Sequence, residues 1–71
     1  MIVNQKELAL TLKIWRAKRG LTQIELANKA GVSACTVVFT EKCKKVPRVE
    51  TLIKLAKALS IDEEELLKYI K

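Results

Sequence analysis

The chain has 71 residues, 49% of them hydrophobic and 31% charged, which suits one small globular domain and excludes a low-complexity tail or disordered linker. Fourteen Lys and Arg against eight acids give a net charge of +6, and residues 1–61 alone hold twelve bases and four acids, a net +8 that fits a polyanionic partner such as nucleic acid or a membrane surface. No apolar run approaches the ~18 residues of a membrane span, no signal peptide is evident, and two cysteines without any histidine cannot complete a four-ligand zinc site.

The first predicted helix covers about residues 5–19. Asn4 and Glu7 have the spacing of a capping box. Leu8, Leu12 and Trp15 recur on one face, Lys18 and Arg19 sit at the carbonyl end, and Gly20 supplies a left-handed stop. Thr22 and Glu25 form a second capping box, opening a helix of about two turns that buries Leu26, Ala27 and Ala30 and ends at Gly31. Ser33 then caps a third helix running to about Lys42. Its interior, Thr36-Val37-Val38-Phe39-Thr40, taken alone reads as a strand, yet the flanking cap-turn-cap pattern argues for a helix. After a basic loop and Pro47, Leu52, Leu55, Ala56 and Leu59 mark a fourth helix over about 48–59. Asp62 and Glu65 have the spacing of a third box, opening a last helix with Leu66, Leu67 and Ile70 inward. The fold class is therefore all-α: a compact five-helix bundle occupying residues 1–71 as one domain.

Residues 22–41 carry the functional signal. Two short helices that cross steeply need a small residue at their closest approach and a positive-φ residue in the turn. Ala27 and Gly31 meet those needs, while Val32 and Val37 seal the angle between the helices. This is the arrangement of a helix-turn-helix, whose second helix can enter a major groove. The chain resembles the phage-repressor and Cro type (lambda-repressor-like) of helix-turn-helix family from about Leu8 to Leu67. The matching text is Gly20-Leu21-Thr22-Gln23, Glu25-Leu26-Ala27, Ala30-Gly31-Val32-Ser33, Thr36-Val37, Glu41, Pro47, Glu50-Thr51-Leu52, Leu55-Ala56-Lys57-Ala58-Leu59 and Glu65-Leu66-Leu67.

The resemblance implies a transcriptional regulator, repressor-like, that binds double-stranded DNA as a homodimer in the cytoplasm of a bacterium or on behalf of a phage. It implies that Gln23, beside Thr22 at a helix N-terminus, bonds a phosphate. Ser33, Ala34, Cys35, Thr36, Val38 and Phe39 would form the groove-facing start and side of the recognition helix. Lys42, Lys44 and Lys45 would lie along the DNA backbone, with Arg48 directed to the narrow minor groove. Arg16 and Glu41 fall where the family often has a buried ion pair. The sequence departs from the family at the groove, where Gln, Arg, Asn, Ser or Lys are common but Ala34, Cys35, Val38 and Phe39 stand here. It departs again at Cys43, a usual glycine position, and at Thr40, a usual core aliphatic whose hydroxyl is placed to bond the Thr36 carbonyl.

Other readings of the same residues stay open at this level. Val38 and Phe39 can meet thymine methyls, join a dimer or partner surface, or fold back into the core. The basic set can be a solvated loop, Thr22 a plain cap, and Cys35 and Cys43 inert thiols. Leu10 and Ile14 can serve dimerisation or sit on a helix flank. An enzyme is not indicated, for want of a nucleophile–base couple, a Gly-rich phosphate loop or a metal set. No cofactor, metal or small-molecule substrate is implied, and a membrane role is disfavoured because no helix combines a broad basic face with exposed aromatics. The alternative function is a protein-interaction module using the apolar third helix.

Overall fold

A computed structural model describes residues 4–70, which form α1 (Gln5–Lys18), α2 (Gln23–Ala30), α3 (Ala34–Glu41), α4 (Val49–Leu59) and α5 (Glu64–Leu67). No strand is present among the described residues. Side-chain caps set three of the helix starts. Asn4 Oδ1 accepts the Glu7 N–H at 3.2 Å. The reciprocal half of that box does not form, because the Asn4 N–H donates to the Tyr69 carbonyl at 3.0 Å. Thr22 and Glu25 complete theirs, at 3.1 and 2.9 Å. Ser33 Oγ accepts the Thr36 N–H at 3.3 Å.

The Asp62–Glu65 box read from sequence is a correction. Asp62 accepts instead from the Glu64 N–H at 3.1 Å, and the Glu65 carboxylate turns to Lys68 at 3.8 Å. The last helix is consequently a single turn, with Leu66 fully buried and Leu67 and Ile70 only partly so.

The first four helices stop in one way. Gly20, Gly31, Cys43 and Ser60 take left-handed φ values of 66°, 74°, 59° and 57°. The N–H of the next residue then reaches back to a helical carbonyl: Leu21 to Arg16, Val32 to Ala27, Lys44 to Phe39 and Ile61 to Ala56, at 2.9–3.1 Å. This closure satisfies carbonyls that would otherwise be orphaned, at the cost of a backbone conformation only glycine adopts without steric penalty.

The β-branched run 36–40 is helical. Each of its residues forfeits up to about 0.7 kcal/mol of helix propensity. Burying Val37 contributes about 1.5–3 kcal/mol and the Ser33 cap about 1, which offsets most of that loss. Thr40 is buried too, and its hydroxyl donates to the Thr36 carbonyl at 2.7 Å rather than being stranded in the core. The core itself is leucine-rich: Leu8 and Leu12 of α1, Leu26 of α2, Leu52, Leu55 and Leu59 of α4 and Leu66 of α5 surround Val37. Ala27, 1% exposed, lets α2 and α3 approach. Trp15 packs at the edge of this cluster with Lys18 Nζ 4.8 Å and Arg19 Cζ 5.5 Å from its ring centre. Arg19 does not serve its own helix; it donates to the Leu59 and Ser60 carbonyls, at 2.7 and 3.3 Å, and so caps the end of α4.

One buried carboxylate joins three helices. Glu41, at the end of α3 and 3% exposed, accepts Nε and Nη2 of Arg16 from α1 at 2.8 and 3.0 Å. Its Oε1 also accepts Nε2 of Gln23 from α2 at 3.1 Å. Arg16 Nη1 continues to the Leu21 carbonyl at 2.9 Å, in the α1–α2 turn. The hydrogen bonds that Arg16 donates to Glu41 raise its pKa above the ordinary value, against a smaller lowering by burial.

Two measurements check these assignments. Gly31→Ala meets no atom within 4 Å, so its cost is backbone strain alone, about 1–2 kcal/mol. Ser60→Gly removes the same strain and should gain up to about 1 kcal/mol; thermal melts should therefore shift in opposite directions, by roughly 4–8 °C per kcal/mol. In urea denaturation, Arg16→Met should cost about 3–5 kcal/mol by stranding Glu41. Adding Glu41→Leu to it should recover a large part of the loss, and no recovery would contradict the pairing described.

Candidate nucleic-acid interface

The turn between α2 and α3 is three residues long, Gly31 to Ser33, and is determined by Gly31 and the Ser33 cap. It holds α3 so that Val37, Thr40 and Glu41 face the core while the other side is open. Cys35, Phe39 and Lys42 follow at helical spacing as an outward ridge, all exposed, with Phe39 42% exposed. Val38 on one flank and Ala34 and Thr36 beside the ridge are half-buried, and Ser33 is exposed at the helix start. Val38 and Phe39 are thus not drawn into the core, which removes one of their three sequence readings. Ser33 and Thr36 hydroxyls lie 2.9 Å apart and bond each other.

The basic residues gather next to this ridge. Lys42 caps α3, Lys44 and Lys45 follow in the loop, and Arg48 is the N-cap of α4, its carbonyl accepting the Leu52 N–H at 3.1 Å while its side chain makes no capping bond. All four are exposed, and none belongs to the ion pairs found among the described residues, which are Arg16–Glu41 and Glu65–Lys68. Lys45, Val46 and Arg48 form one wall of a cleft of about 250 Å³, with Thr36 and Thr40 of α3 and Thr51 of α4 opposite. The cleft therefore sets Lys45 and Arg48, from the loop that follows α3, beside Thr36 and Thr40 of that helix. Thr51 and Val46 had no local sequence signal; only the folding of the 43–48 loop against α3 places them there.

At the N-terminus of α2 the geometry is more committed than sequence implied. Thr22 Oγ1 and the Thr22 N–H are both engaged with Glu25. The side-chain amide of Gln23 turns inward to Glu41, whereas its backbone N–H and that of Ile24 are engaged in none of the described hydrogen bonds. Gln23 thereby links the surface of α2 to the buried ion pair.

The two thiols sit differently. Cys35 is exposed on the ridge. Cys43 is half-buried, its Sγ donating to the Gln5 carbonyl at 3.7 Å and its own carbonyl accepting Gln5 Nε2 at 3.0 Å. This clip fastens the start of α1 to the end of α3. Among the described residues no group of three His, Cys, Asp or Glu could hold a metal ion, and no helix is long and apolar enough to cross a membrane.

Comparison with known proteins gives a consistent family assignment. The model of the family described as helix-turn-helix, HTH_3, matches residues 12–66. An uncharacterised helix-turn-helix transcriptional regulator of Methanocaldococcus jannaschii is 40% identical over 58 residues, covering 82% of this chain and 88% of its own. One from Archaeoglobus fulgidus is 42% identical over 55 residues, covering 78% and 79%. Among solved structures, the restriction-modification controller protein C.AhdI of Aeromonas hydrophila superposes with a TM-score of 0.85 at 28% identity, over 89% of this chain and 96% of that one. An HTH_3 family transcriptional regulator of Vibrio cholerae superposes with a TM-score of 0.83 at 28% identity, over 90% of this chain. The chain spans only about a third of that longer protein, 36%.

Proposed function

The chain belongs to the helix-turn-helix family HTH_3, and from that premise we propose how it binds: as a homodimer, docking α3 in the major groove of double-stranded DNA with a repressor's outcome. That it is a DNA-binding transcriptional regulator follows from the family and from regulators 40–42% identical to it. The observation that carries the docking reading is the exposed face of α3 lying beside four cations that have no acidic partner among the described residues.

In this reading Lys42, Lys44, Lys45 and Arg48 neutralise phosphates, Lys45 and Arg48 from the lining of the cleft beside α3. The free N–H groups of Gln23 and Ile24 offer a phosphate a helix N-terminus. The Gln23 side chain either keeps Glu41 in place or exchanges it for the phosphate, and Thr22 secures the helix start. Ser33, Ala34, Cys35, Thr36, Val38 and Phe39 face the base edges. A protein-interaction role for the same helix is not favoured, since the matched relatives are named as regulators of transcription. Work on DNA suits a cytoplasmic protein with reduced thiols.

Titrating duplex DNA at several salt concentrations tests this. Four phosphate contacts per protomer give a log–log slope near −4, about −7 for a dimer, because each neutralised phosphate contributes roughly −0.9. Lys44→Ala should weaken binding alike on all sequences and reduce the magnitude of the slope by about one per protomer. A flat salt response would refute the phosphate assignments. Sedimentation of the complex should give two protomers per site, with recognition helices about 34 Å apart.

A further inference from the structure

We propose that this protein reads its DNA site chiefly through the C5-methyl groups of thymine, with Phe39 and Cys35 as the specificity-determining side chains and Val38 and Ala34 in support. The proposal rests on the docking reading above, and it adds what α3 recognises once docked.

Base pairs are usually distinguished in the major groove by bidentate hydrogen bonds from Arg, Lys, Asn or Gln to purine edges, or by carboxylates accepting from cytosine. The exposed face of α3 contains none of these from Ala34 to Phe39, a stretch that includes the N-terminal residues by which a recognition helix reaches base edges. Its only hydroxyls, Ser33 and Thr36, are bonded to each other, and Ser33 Oγ also accepts the Thr36 N–H. Neither presents the paired donor and acceptor that a purine edge needs. Lys42 lies at the far, carboxyl end beside the other cations.

What the face does present is apolar. Phe39 and Cys35 stand one turn apart on the ridge, and both are exposed although they belong to a helix with a mean composition fit for a core. Inserted in a groove lined by base edges, such a surface finds one apolar feature there, the thymine methyl. The surrounding charge selects the occupant. Lys42, Lys44, Lys45 and Arg48 frame the ridge with positive charge that no acid pairs among the described residues, which complements a phosphate-bordered groove better than an apolar protein surface. Cytosine methylated at C5 presents the same group in the same groove and belongs to the same ligand class.

Deoxyuridine tests the idea directly, since it pairs as thymine does and lacks only the methyl. Sites are first enriched from a random duplex library using the intact protein. The best site is then resynthesised with deoxyuridine at single thymines and at all of them. Burying one methyl corresponds to roughly a fourfold change in affinity. One or more single replacements should therefore weaken binding about fourfold, and full replacement at least about tenfold. In Phe39→Ala the thymine-to-uracil affinity ratio should fall toward one; Phe39 is outside the core, so the variant keeps its fold. A site that is enriched and bound with the salt dependence given above, but whose affinity ignores uracil, overturns methyl reading and leaves the docking intact. A uracil effect that persists unchanged in Phe39→Ala overturns the assignment to this ridge. Salt-independent binding with no enriched site overturns both.

Discussion

The Glu41 carboxylate is the constraint around which the helix-turn-helix is assembled. It is almost wholly removed from water, so leaving it unpaired would cost several kcal/mol. Three donors from two other helices answer that demand: two from Arg16 and one from Gln23. Because the pairing is bidentate and planar, it fixes direction as well as distance. The end of α3 is held against α1 and α2 at once, and the outward side of α3 becomes a determined surface. Replacing the network with apolar groups of similar volume can be nearly neutral for stability, so its value lies in orientation. Arg16 also bonds the Leu21 carbonyl, so the α1–α2 turn is referenced to the same point.

Much of this was legible in the sequence, for reasons that differ by element. The helices begin where Asn4, Thr22 and Ser33 stand and end where the chain must turn left-handed, because short polar caps and positive-φ residues act within four or five positions. The run 36–40 has local preferences that contradict its structure; only the flanking caps and the burial of Val37 decide in favour of a helix. Ties between distant segments had no such signature. Nothing local tells that Asn4 gives its N–H to Tyr69, that Thr11 and Tyr69 hydroxyls bond at 2.8 Å, or that Arg19 caps α4. The last helix departs for a local reason: Asp62 accepts from the Glu64 N–H and Glu65 turns to Lys68, so the acidic pair with capping-box spacing leaves the box unformed and the helix is one turn long.

For the site, sequence identified the residue types and the fold supplied their grouping. Lys42 through Arg48 read as a basic loop, but a loop of cations has no fixed target until it packs beside α3 and forms a cleft with Thr36 and Thr51. Gln23 shows the converse. Position alone implied a surface role, whereas the structure has its amide turned toward the buried carboxylate, so that the residue proposed to meet a phosphate also serves the internal ion pair. In the proposed docking, affinity and discrimination are accordingly divided between the basic loop and the ridge of α3, the first set against phosphates and the second against base edges.

The separation of the two sides of α3 has an evolutionary corollary. Val37, Thr40 and Glu41 maintain the architecture, while Cys35 and Phe39 contribute nothing to the buried cluster. Exchanging the latter pair leaves that buried cluster untouched. If that pair reads the operator as proposed, a lineage carrying this scaffold is free to change its target one residue at a time while the buried cluster stays intact.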